Sequence, residues 1–196
     1  AGSDLIGAYN NDGTCTLCTA GRYKNTPGAT KCNQMSTYTC NQGYGFSSAS
    51  ATSGITGSTN NDGTCTQCPA GEYKSGSGAI ACVTMSTTTC PAGQRFSSAS
   101  AGSDLIGAYN NDGACSLCPA GQFKSADGAT ACTDMDTNTC VAGQGFSSAS
   151  ASDQGALTGS TVNDGACALC TAGKYKTSSG ARSCTAMTHT TCPPGQ

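Results

Sequence analysis

The sequence predicts a small disulfide-rich fold: a tandem-repeat rod of irregular loops and short β-hairpins, with little or no helix. All sixteen cysteines of the 196-residue chain fall in four copies of one pattern, C-x2-C-x13-C-x7-C. The first cysteines of successive copies are 50, 50 and 52 residues apart. A fixed period of this length is typical of repeat arrays. No stretch of the chain has a convincing helical periodicity of apolar residues.

The period divides the chain into four predicted cysteine-rich repeats. Gln196 aligns with Gln144, which a further repeat follows, so we expect the fourth repeat to be truncated and the array to continue. The repeats also alternate, because Ala1–Gly13 recurs identically at Ala101–Gly113, whereas repeats two and four share a Gly-Ser-Thr-x-Asn-Asp-Gly approach. The predicted repeats are 1–50, 51–100, 101–150 and 151–196.

The composition indicates that cross-links must replace part of a hydrophobic core. The chain has no Trp and few large aliphatic side chains. Ordering the backbone costs roughly 1–2 kcal/mol per residue, which so little apolar area cannot offset. A disulfide that closes a loop of about 15 residues contributes roughly 3 kcal/mol. Cysteines in even, regular sets also indicate an oxidising compartment, so we predict an extracellular or cell-surface protein.

Charge and hydropathy exclude two classes of partner. The net charge is −2 with 10% charged residues and no basic patch, which argues against nucleic-acid binding. No apolar run is long enough to span a bilayer, so we expect no membrane span in this chain. Its first residues are too polar for a signal peptide, which indicates a mature or excised segment.

Local turn signals predict short hairpins within each repeat. Arg22–Lys24 and Ala29–Cys32 flank a four-residue loop that ends in Gly28, and this arrangement predicts a β-hairpin. Asn-Asp-Gly precedes the first cysteine of every copy and predicts a tight turn. Segments such as Phe46–Ser50 read as small-residue linkers, which the aromatic side chain at their head would pin.

The cysteines could serve a metal site, a redox pair or structural disulfides, and their spacing favours structural disulfides. A zinc site would begin with C-x2-C, but C-x7-C is too wide for its second half and no His accompanies it. A redox pair would need a helix N-terminus to lower the thiol pKa, and the inserts offer no helix start. We therefore predict no metal site and no cofactor. Four cysteines per repeat permit three connectivities, which the spacing leaves open.

The motif C-x2-C-x-x-Gly-x-Tyr, followed by the two later cysteines, resembles the cysteine-rich modules of tumour-necrosis-factor receptors and the related ephrin-receptor-like repeats. In those receptor modules the first cysteine pairs with the third and the second with the fourth. The receptors' additional preceding cysteine pair is absent here, which leaves open an alternative in which one cysteine pairs across the repeat boundary. Carried over, the resemblance implies Cys15–Cys32, Cys18–Cys40, Cys65–Cys82, Cys68–Cys90, Cys115–Cys132, Cys118–Cys140, Cys167–Cys184 and Cys170–Cys192.

Phrases such as Cys68–Lys74 (CPAGEYK) and Thr88–Gln94 (TTCPAGQ) resemble the surface, or immobilisation, antigens of ciliates. Tandem cysteine-rich repeats and abundant Thr, Ser, Ala and Gly add to this resemblance, which covers all four repeats. It implies an abundant extracellular coat or appendage protein.

Other recurring side chains are assigned structural roles. Tyr23 and its counterparts are expected to pack on the disulfides as the main apolar element of each repeat, and Met35 and its counterparts to fill irregular gaps. The Asn-Asp-Gly set offers too few carboxylates for a typical calcium loop. His189 is the only histidine, and Asp134 and Asp136 belong to one copy, so no catalytic site is predicted.

Ser and Thr make up about a quarter of the chain, and several lie in runs typical of O-glycosylation in secreted proteins. No Asn-x-Ser/Thr acceptor for N-glycans is present. The predicted O-glycan sites are Thr87, Thr88, Ser97, Ser98, Ser147 and Ser148.

Together these features favour a non-enzymatic structural protein. The sequence predicts an extracellular coat or filament built by head-to-tail stacking of disulfide-bonded repeats, with self-association as its main interaction and glycans as a second partner. The alternative is an adhesin or receptor-like ectodomain that binds a protein or glycan ligand. An adhesin would need one repeat whose loops diverge, whereas the four copies are nearly uniform.

Overall fold

The computed structural model describes residues 13–189, and over that range it contains fourteen short strands and no helix. The predicted disulfide-rich hairpin architecture is therefore confirmed. The strands are β1 Arg22–Tyr23, β2 Asn33–Gln34, β3 Tyr44–Ser48, β4 Gly63–Gln67, β5 Glu72–Tyr73, β6 Val83–Thr84, β7 Gln94–Ser97, β8 Ala114–Leu117, β9 Gln122–Phe123, β10 Thr133–Asp134, β11 Gln144–Ser147, β12 Ala166–Leu169, β13 Lys174–Tyr175 and β14 Thr185–Ala186.

The chain forms two compact units. The first comprises Ala1–Ser86 and Ser98–Asp112 and holds strands β1 to β6. The second comprises Thr87–Ser97 and Gly113–Gln196 and holds strands β7 to β14. Each strand pairs with one neighbour, so the described residues contain seven two-stranded antiparallel sheets.

Four of these sheets are the short hairpins that the sequence predicts within each repeat. In the first, Arg22 lies opposite Gln34 and Tyr23 opposite Asn33. The predicted four-residue loop is wrong, because the second arm starts after the third cysteine. The second repeat shows why, because its expected second arm contains Ile80 and follows Gly78. The N–H of Gly78 donates to the carbonyl of Cys40, and the carbonyl of Gly78 accepts from the N–H of Cys40. The carbonyl of Ile80 accepts from the N–H of Phe46. The expected second arm therefore pairs with the preceding repeat.

The other three sheets join each repeat to the next. β3 pairs with β4, β7 with β8 and β11 with β12, and each pair places Phe46, Phe96 or Phe146 opposite the first cysteine of the following repeat. The segments predicted as linkers are thus strands at their N-terminal ends, and that part of the prediction is wrong. The expectation that their aromatic side chain pins them is confirmed, since all three phenylalanines are fully buried.

These phenylalanines, and not the tyrosines, occupy the centre of each small core. One cluster in the first unit contains Met35, Cys40 and Phe46, with Tyr23 and Ile55 packed against it at the edge. The prediction that Tyr23 and its counterparts are the main apolar element is therefore wrong. A β-strand buries alternate side chains, and the strand that carries the phenylalanine is held on two sides by backbone bonds, which places its ring inside. The gap-filling role of Met35, Met85 and Met135 is confirmed by their burial, whereas the prediction is wrong for Met187, which is 44% exposed.

The disulfide pairing differs from the one that the receptor resemblance implied. The second cysteine bonds to the third within a repeat, and the fourth bonds to the first cysteine of the next repeat. The alternative with a bond across the repeat boundary is the observed one. The pairs are Cys18–Cys32, Cys40–Cys65, Cys68–Cys82, Cys90–Cys115, Cys118–Cys132, Cys140–Cys167 and Cys170–Cys184.

The long hairpins explain this correction. Pairing of β3 with β4 carries Cys65 to the fourth cysteine of the preceding repeat, so the Cα atoms of Cys40 and Cys65 lie 5.6 Å apart, within bonding range. Within residues 13–189 Cys15 forms no disulfide and is exposed, and Cys192 lies outside the described residues. The implied pairs that are wrong in this structure are Cys15–Cys32, Cys18–Cys40, Cys65–Cys82, Cys68–Cys90, Cys115–Cys132, Cys118–Cys140, Cys167–Cys184 and, because Cys170 is bonded to Cys184, Cys170–Cys192.

Disulfide mapping tests the pairing directly. Fragmentation of the digested, non-reduced chain should yield Cys90 linked to Cys115, and a Cys68–Cys90 link would contradict the fold. The double variant Cys90→Ser and Cys115→Ser should lower the free energy of unfolding by about 3–4 kcal/mol, because this bond closes a 25-residue loop. Denaturant unfolding of both proteins under non-reducing conditions measures the difference.

Gly43 provides a second test, because it lies where three repeats meet: its backbone bonds to Cys68 and Lys74, and it packs against Gly107. Its φ is +76°, and a Cβ there would stand 2.3 Å from the carbonyl oxygen of Gly107. Gly43→Ala should lower the free energy of unfolding by about 2–4 kcal/mol through backbone strain and a displaced contact. Gly76→Ala is the matched control, since nothing lies within 4 Å of its Cβ, and it should change stability by at most about 0.5 kcal/mol. Equal stabilities of the two variants in guanidinium unfolding would contradict this packing.

Candidate functional site: the joints between repeats

The same set of contacts crosses from each repeat to the next, and we call this set the joint. In the first joint the N–H of Cys40 donates to the carbonyl of Gly78 (3.1 Å), and the N–H of Gly78 donates to the carbonyl of Cys40 (2.9 Å). Cys40 is also bonded to Cys65. In the second unit, Cys90 and Cys140 make the same two backbone bonds, with Gly128 and Gly180.

A lysine ammonium sits at each of these backbone bridges. The Nζ of Lys74 donates to the carbonyls of Cys40 (2.7 Å) and Asn41 (3.2 Å), and the side chain is 3% exposed. The Nζ of Lys124 donates to the carbonyls of three residues, Cys90 (2.8 Å), Gln94 (3.0 Å) and Gly128 (2.7 Å). The ammonium of Lys124 therefore binds peptide oxygens of two successive repeats, and that of Lys74 binds peptide oxygens of the repeat before its own.

Burial removes these ammonium groups from water, so their carbonyl partners must replace the lost hydration. Burial lowers the pKa of Lys74 below its usual value. Burial lowers the pKa of Lys124 as well, although the charge of Asp127 opposes this effect. A charged group can be buried at acceptable cost when it is fully hydrogen-bonded, whereas its removal leaves buried acceptors unsatisfied. Each lysine thus fixes the position of the fourth cysteine's carbonyl through a hydrogen bond from its Nζ.

Within residues 13–189, the aspartate of the Asn-Asp-Gly turn closes each long hairpin. The hydroxyl of Ser48 donates to Oδ1 of Asp62 (2.5 Å), and the N–H of Ser50 donates to Oδ2 (2.8 Å). The hydrogen bond from Ser48 is the largest cause that holds the pKa of Asp62 below its usual value. Asp112 and Asp164 make the same bonds with the serines at equivalent positions.

Burial raises the pKa of the Asp112 carboxyl, but hydrogen bonds from Ser98 and Ser100 outweigh it and leave the pKa below its usual value. The same balance holds for Asp164, where Ser148 and Ser150 are the donors. All three aspartates are therefore held as carboxylates by hydroxyl and amide donors of the serine-rich segment that follows the buried phenylalanine.

The asparagine of the same turn ties back to the preceding repeat. The N–H of Ser36 donates to Oδ1 of Asn61 (2.7 Å), and Nδ2 of Asn61 donates to the hydroxyl of Ser36 (2.8 Å). Asn111 makes both bonds with Ser86, at 2.8 Å each. In the described Asn-Asp-Gly turns, the carboxylate and amide oxygens that a calcium site would need are thus engaged in hydrogen bonds of the fold. No group of three or more His, Cys, Asp or Glu side chains among residues 13–189 could hold a metal ion.

The alternation of repeat types changes the buried polar contacts at the joint. Ser58 and Ser160, in the two repeats of one type, are buried and lie 2.7 Å, hydroxyl to hydroxyl, from Ser48 and Ser148. In the intervening repeat Ala108 occupies the equivalent position and is fully buried. The two repeat types therefore differ at one buried position of the joint, where one has a hydrogen-bonded serine and the other an alanine.

The predicted glycan acceptors fall into three groups. Ser148 is 1% exposed and its hydroxyl donates to Asp164, so the folded chain offers it to no glycosyltransferase. Ser98 is half-buried and donates to Asp112 in the same way. We withdraw both as glycan sites. Ser147 is exposed, and Thr87, Thr88 and Ser97 are half-buried, so these four stay predictions.

The joint lysines are the residues that sequence reasoning missed. Four of the six lysines follow the aromatic residue of the short hairpin, at positions 24, 74, 124 and 176. In a chain with 10% charged residues, such a recurrence was a signal for a buried structural role. The remaining polar side chain of interest, His189, is exposed, and its Nδ1 lies 3.2 Å from the hydroxyl of Thr188.

Comparisons with known proteins add no assignment. No protein-family model matches the chain, and a search of curated protein sequences finds no match. No helix among the described residues is long and apolar enough to cross a membrane. The functional interpretation therefore rests on the joints.

The aspartate contacts predict sensitivity to acid. A carboxyl whose pKa is lower in the folded chain stabilises the fold above its ordinary pKa, and this contribution is lost as pH falls through the folded value. The free energy of unfolding should thus be constant near neutral pH and fall below about pH 4. Asp112→Asn should reduce this acid dependence, measured by denaturant unfolding between pH 2 and 7. Asp104→Asn, at an exposed aspartate, is the control and should leave it unchanged. Identical pH profiles for the two variants would contradict the role of Asp112.

Proposed function

We propose that this chain is a non-enzymatic, extracellular structural protein whose repeats build a cell-surface coat or filament. The observation that supports this proposal best is the joint: a disulfide crosses from the fourth cysteine of one repeat to the first of the next, beside strand pairing and a buried lysine. A repeat in such an array depends on its neighbour for its own core.

The order of the disulfides supports a load-bearing role. Seven disulfide loops follow one another between Cys18 and Cys184 without overlap. Tension along the chain would therefore pass through the sulfur–sulfur bonds, and the residues between the two cysteines of each bond would carry no load. Seven disulfides also fit a secreted or extracellular protein. The resemblance to ciliate-type surface antigens points in the same direction.

Electron microscopy of the native material tests this function. Gold-labelled antibodies raised against the folded chain should mark a continuous layer or filaments at the cell surface, and purified native material should contain assemblies of the same width. Preimmune antibodies and antibody absorbed with the chain are the controls. Dispersed single chains that bind a soluble protein or glycan would overturn the proposal in favour of an adhesin or receptor ectodomain.

A further inference from the structure

Every lysine and arginine of the chain lies between the two cysteines of one disulfide. The chain has nine such residues, and all of them fall within residues 13–189. Arg95 lies in the loop that the bond between Cys90 and Cys115 closes across a repeat boundary. The other eight lie in the loops that the four within-repeat disulfides close: Arg22, Lys24, Lys31, Lys74, Lys124, Lys174, Lys176 and Arg182. A backbone break beside any of these nine residues is therefore bridged by a sulfur–sulfur bond.

The segments between consecutive disulfide loops carry no basic residue. Several of their side chains, such as those of Gln34, Thr84 and Thr133, are exposed and polar. Exposed polar positions of this kind usually accept a substitution within about 0.5 kcal/mol. Packing therefore does not explain why lysine and arginine are confined to the loops. The segments, which none of the seven disulfides spans, are residues 33–39, 66–67, 83–89, 116–117, 133–139 and 168–169.

The joint explains the positions of only some of the basic residues. Lys74 and Lys124 bind carbonyls of the preceding repeat, so the joint requires them where they are. The Nη1 of Arg22 instead donates to the carbonyl of Cys32 (3.4 Å), and the Nε of Arg95 donates to a serine hydroxyl of the facing strand (3.0 Å). Both contacts are exposed, and such hydrogen bonds contribute little net stability. The confinement of all nine residues to loops thus has a consequence that the joint does not account for.

We propose that the disulfides keep this chain covalently continuous when it is attacked by proteases that cut after lysine or arginine. Hydrolysis after Arg95 adds one water across the bond to Phe96 and leaves a carboxylate on Arg95 and an amine on Phe96. The sulfur–sulfur bond between Cys90 and Cys115 is untouched and still joins the two sides. Several cuts within one loop have the same result, because the peptides they release contain neither cysteine of that loop.

Arg95 is the decisive residue, because it is exposed and lies between the cysteine sets of two repeats. Arg95 pairs with Ser116 and Phe96 with Cys115, and the N–H of Phe96 donates to a carbonyl of the third repeat (3.0 Å). Both new ends would therefore remain paired with the facing strand after a cut. Under the pairing that the receptor resemblance implied, no disulfide would span Arg95, and the same cut would divide the chain.

The protection applies to one class of protease. Enzymes that read a basic residue have an acidic specificity pocket, whereas those with a hydrophobic pocket cut after large apolar residues. Tyr38, Leu117 and Leu169 lie in segments between loops and are 46%, 43% and 77% exposed. A cut after any of these three residues breaks the chain where no disulfide spans it. This inference goes beyond the proposed function and does not depend on it.

Digestion of the full, oxidised chain with trypsin tests the proposal. Free thiols are first blocked with iodoacetamide so that the disulfides cannot exchange, and urea is raised until a reduced sample shows complete cleavage after Arg95. The non-reduced digest should still contain one covalent species that includes the first and the last residues of the chain, and reduction should separate it into fragments. Parts that separate without reductant would overturn the proposal.

Chymotrypsin on the same blocked chain supplies the contrast. Once a reduced sample shows cleavage after Tyr38 or Leu117, the non-reduced digest should contain separate parts. A chain that remains one covalent species after these cuts would overturn the assignment of the protection to one protease class. The two enzymes are compared at equal urea concentration, so that the folded chain is opened to the same extent.

Two matched lysine variants test the same point with trypsin alone. Ile80 and Val83 are 53% and 52% exposed and lie on either side of Cys82. Val83→Lys places a cleavage site between loops, and trypsin should divide that variant into two parts without reductant. Ile80→Lys places the site inside the loop that Cys68 and Cys82 close, and that variant should stay one covalent species. Matching circular dichroism spectra and disulfide maps establish that both variants fold.

The results separate this inference from the proposed function. Division of the Ile80→Lys variant, or an undivided Val83→Lys variant whose new site is cut, would overturn the inference. The coat or filament proposal would still be decided by microscopy of the native material. Conversely, a chain that trypsin cuts without dividing supports the inference whether the native protein forms filaments or stays dispersed.

Discussion

The disulfide from the fourth cysteine to the first cysteine of the next repeat is the constraint on which the structure depends. It fixes the register of the long hairpin, and that hairpin brings Phe46 into the core beside Met35 and Cys40. Without this bond, a segment of small polar residues would have little reason to leave water. The cores around Phe46 and Phe146 are therefore completed by residues of the following repeat, so each of these cores spans a repeat boundary.

Polar groups carry a larger share of the interior than in an ordinary globular domain. The buried side chains include lysines and serines beside phenylalanine, methionine and cystine. No buried side-chain nitrogen or oxygen of the described residues lacks a hydrogen-bond partner. Because apolar area is scarce, specificity comes from directional bonds such as those from the Nζ of Lys124 to three carbonyls. These hydrogen bonds form only in one arrangement of the chain, and any other arrangement leaves buried polar groups without partners. They therefore favour a unique fold even though each adds little net free energy of folding.

The sequence predicted the fold class, the short hairpins and the structural use of cysteine, because all three depend on local chemistry and on spacing. It did not predict the pairing or the joint. Cys40 lies eight residues from Cys32 and 25 from Cys65, and nothing in that spacing reveals that a strand pair carries Cys65 back to it. Similarly, Phe46–Ser50 reads as a linker because its composition is that of one. It forms a strand because it pairs with residues of the next repeat, and the local sequence does not reveal this pairing.

The same dependence on neighbours explains why the joint uses so many backbone bonds. A contact made by the peptide groups of Cys40 and Gly78 needs a glycine with a φ of +139°, but it requires no particular side chain at the flanking positions. Ile80, Thr130 and Arg182 can therefore occupy one position and still offer the same carbonyl to the phenylalanine strand. The exposed side chains of such an array are free to differ while the joint is retained. The repeats can thus differ at their surfaces and agree at the joint for one reason: disulfides and main-chain bonds hold the chain there, and these bonds place no demand on the exposed side chains.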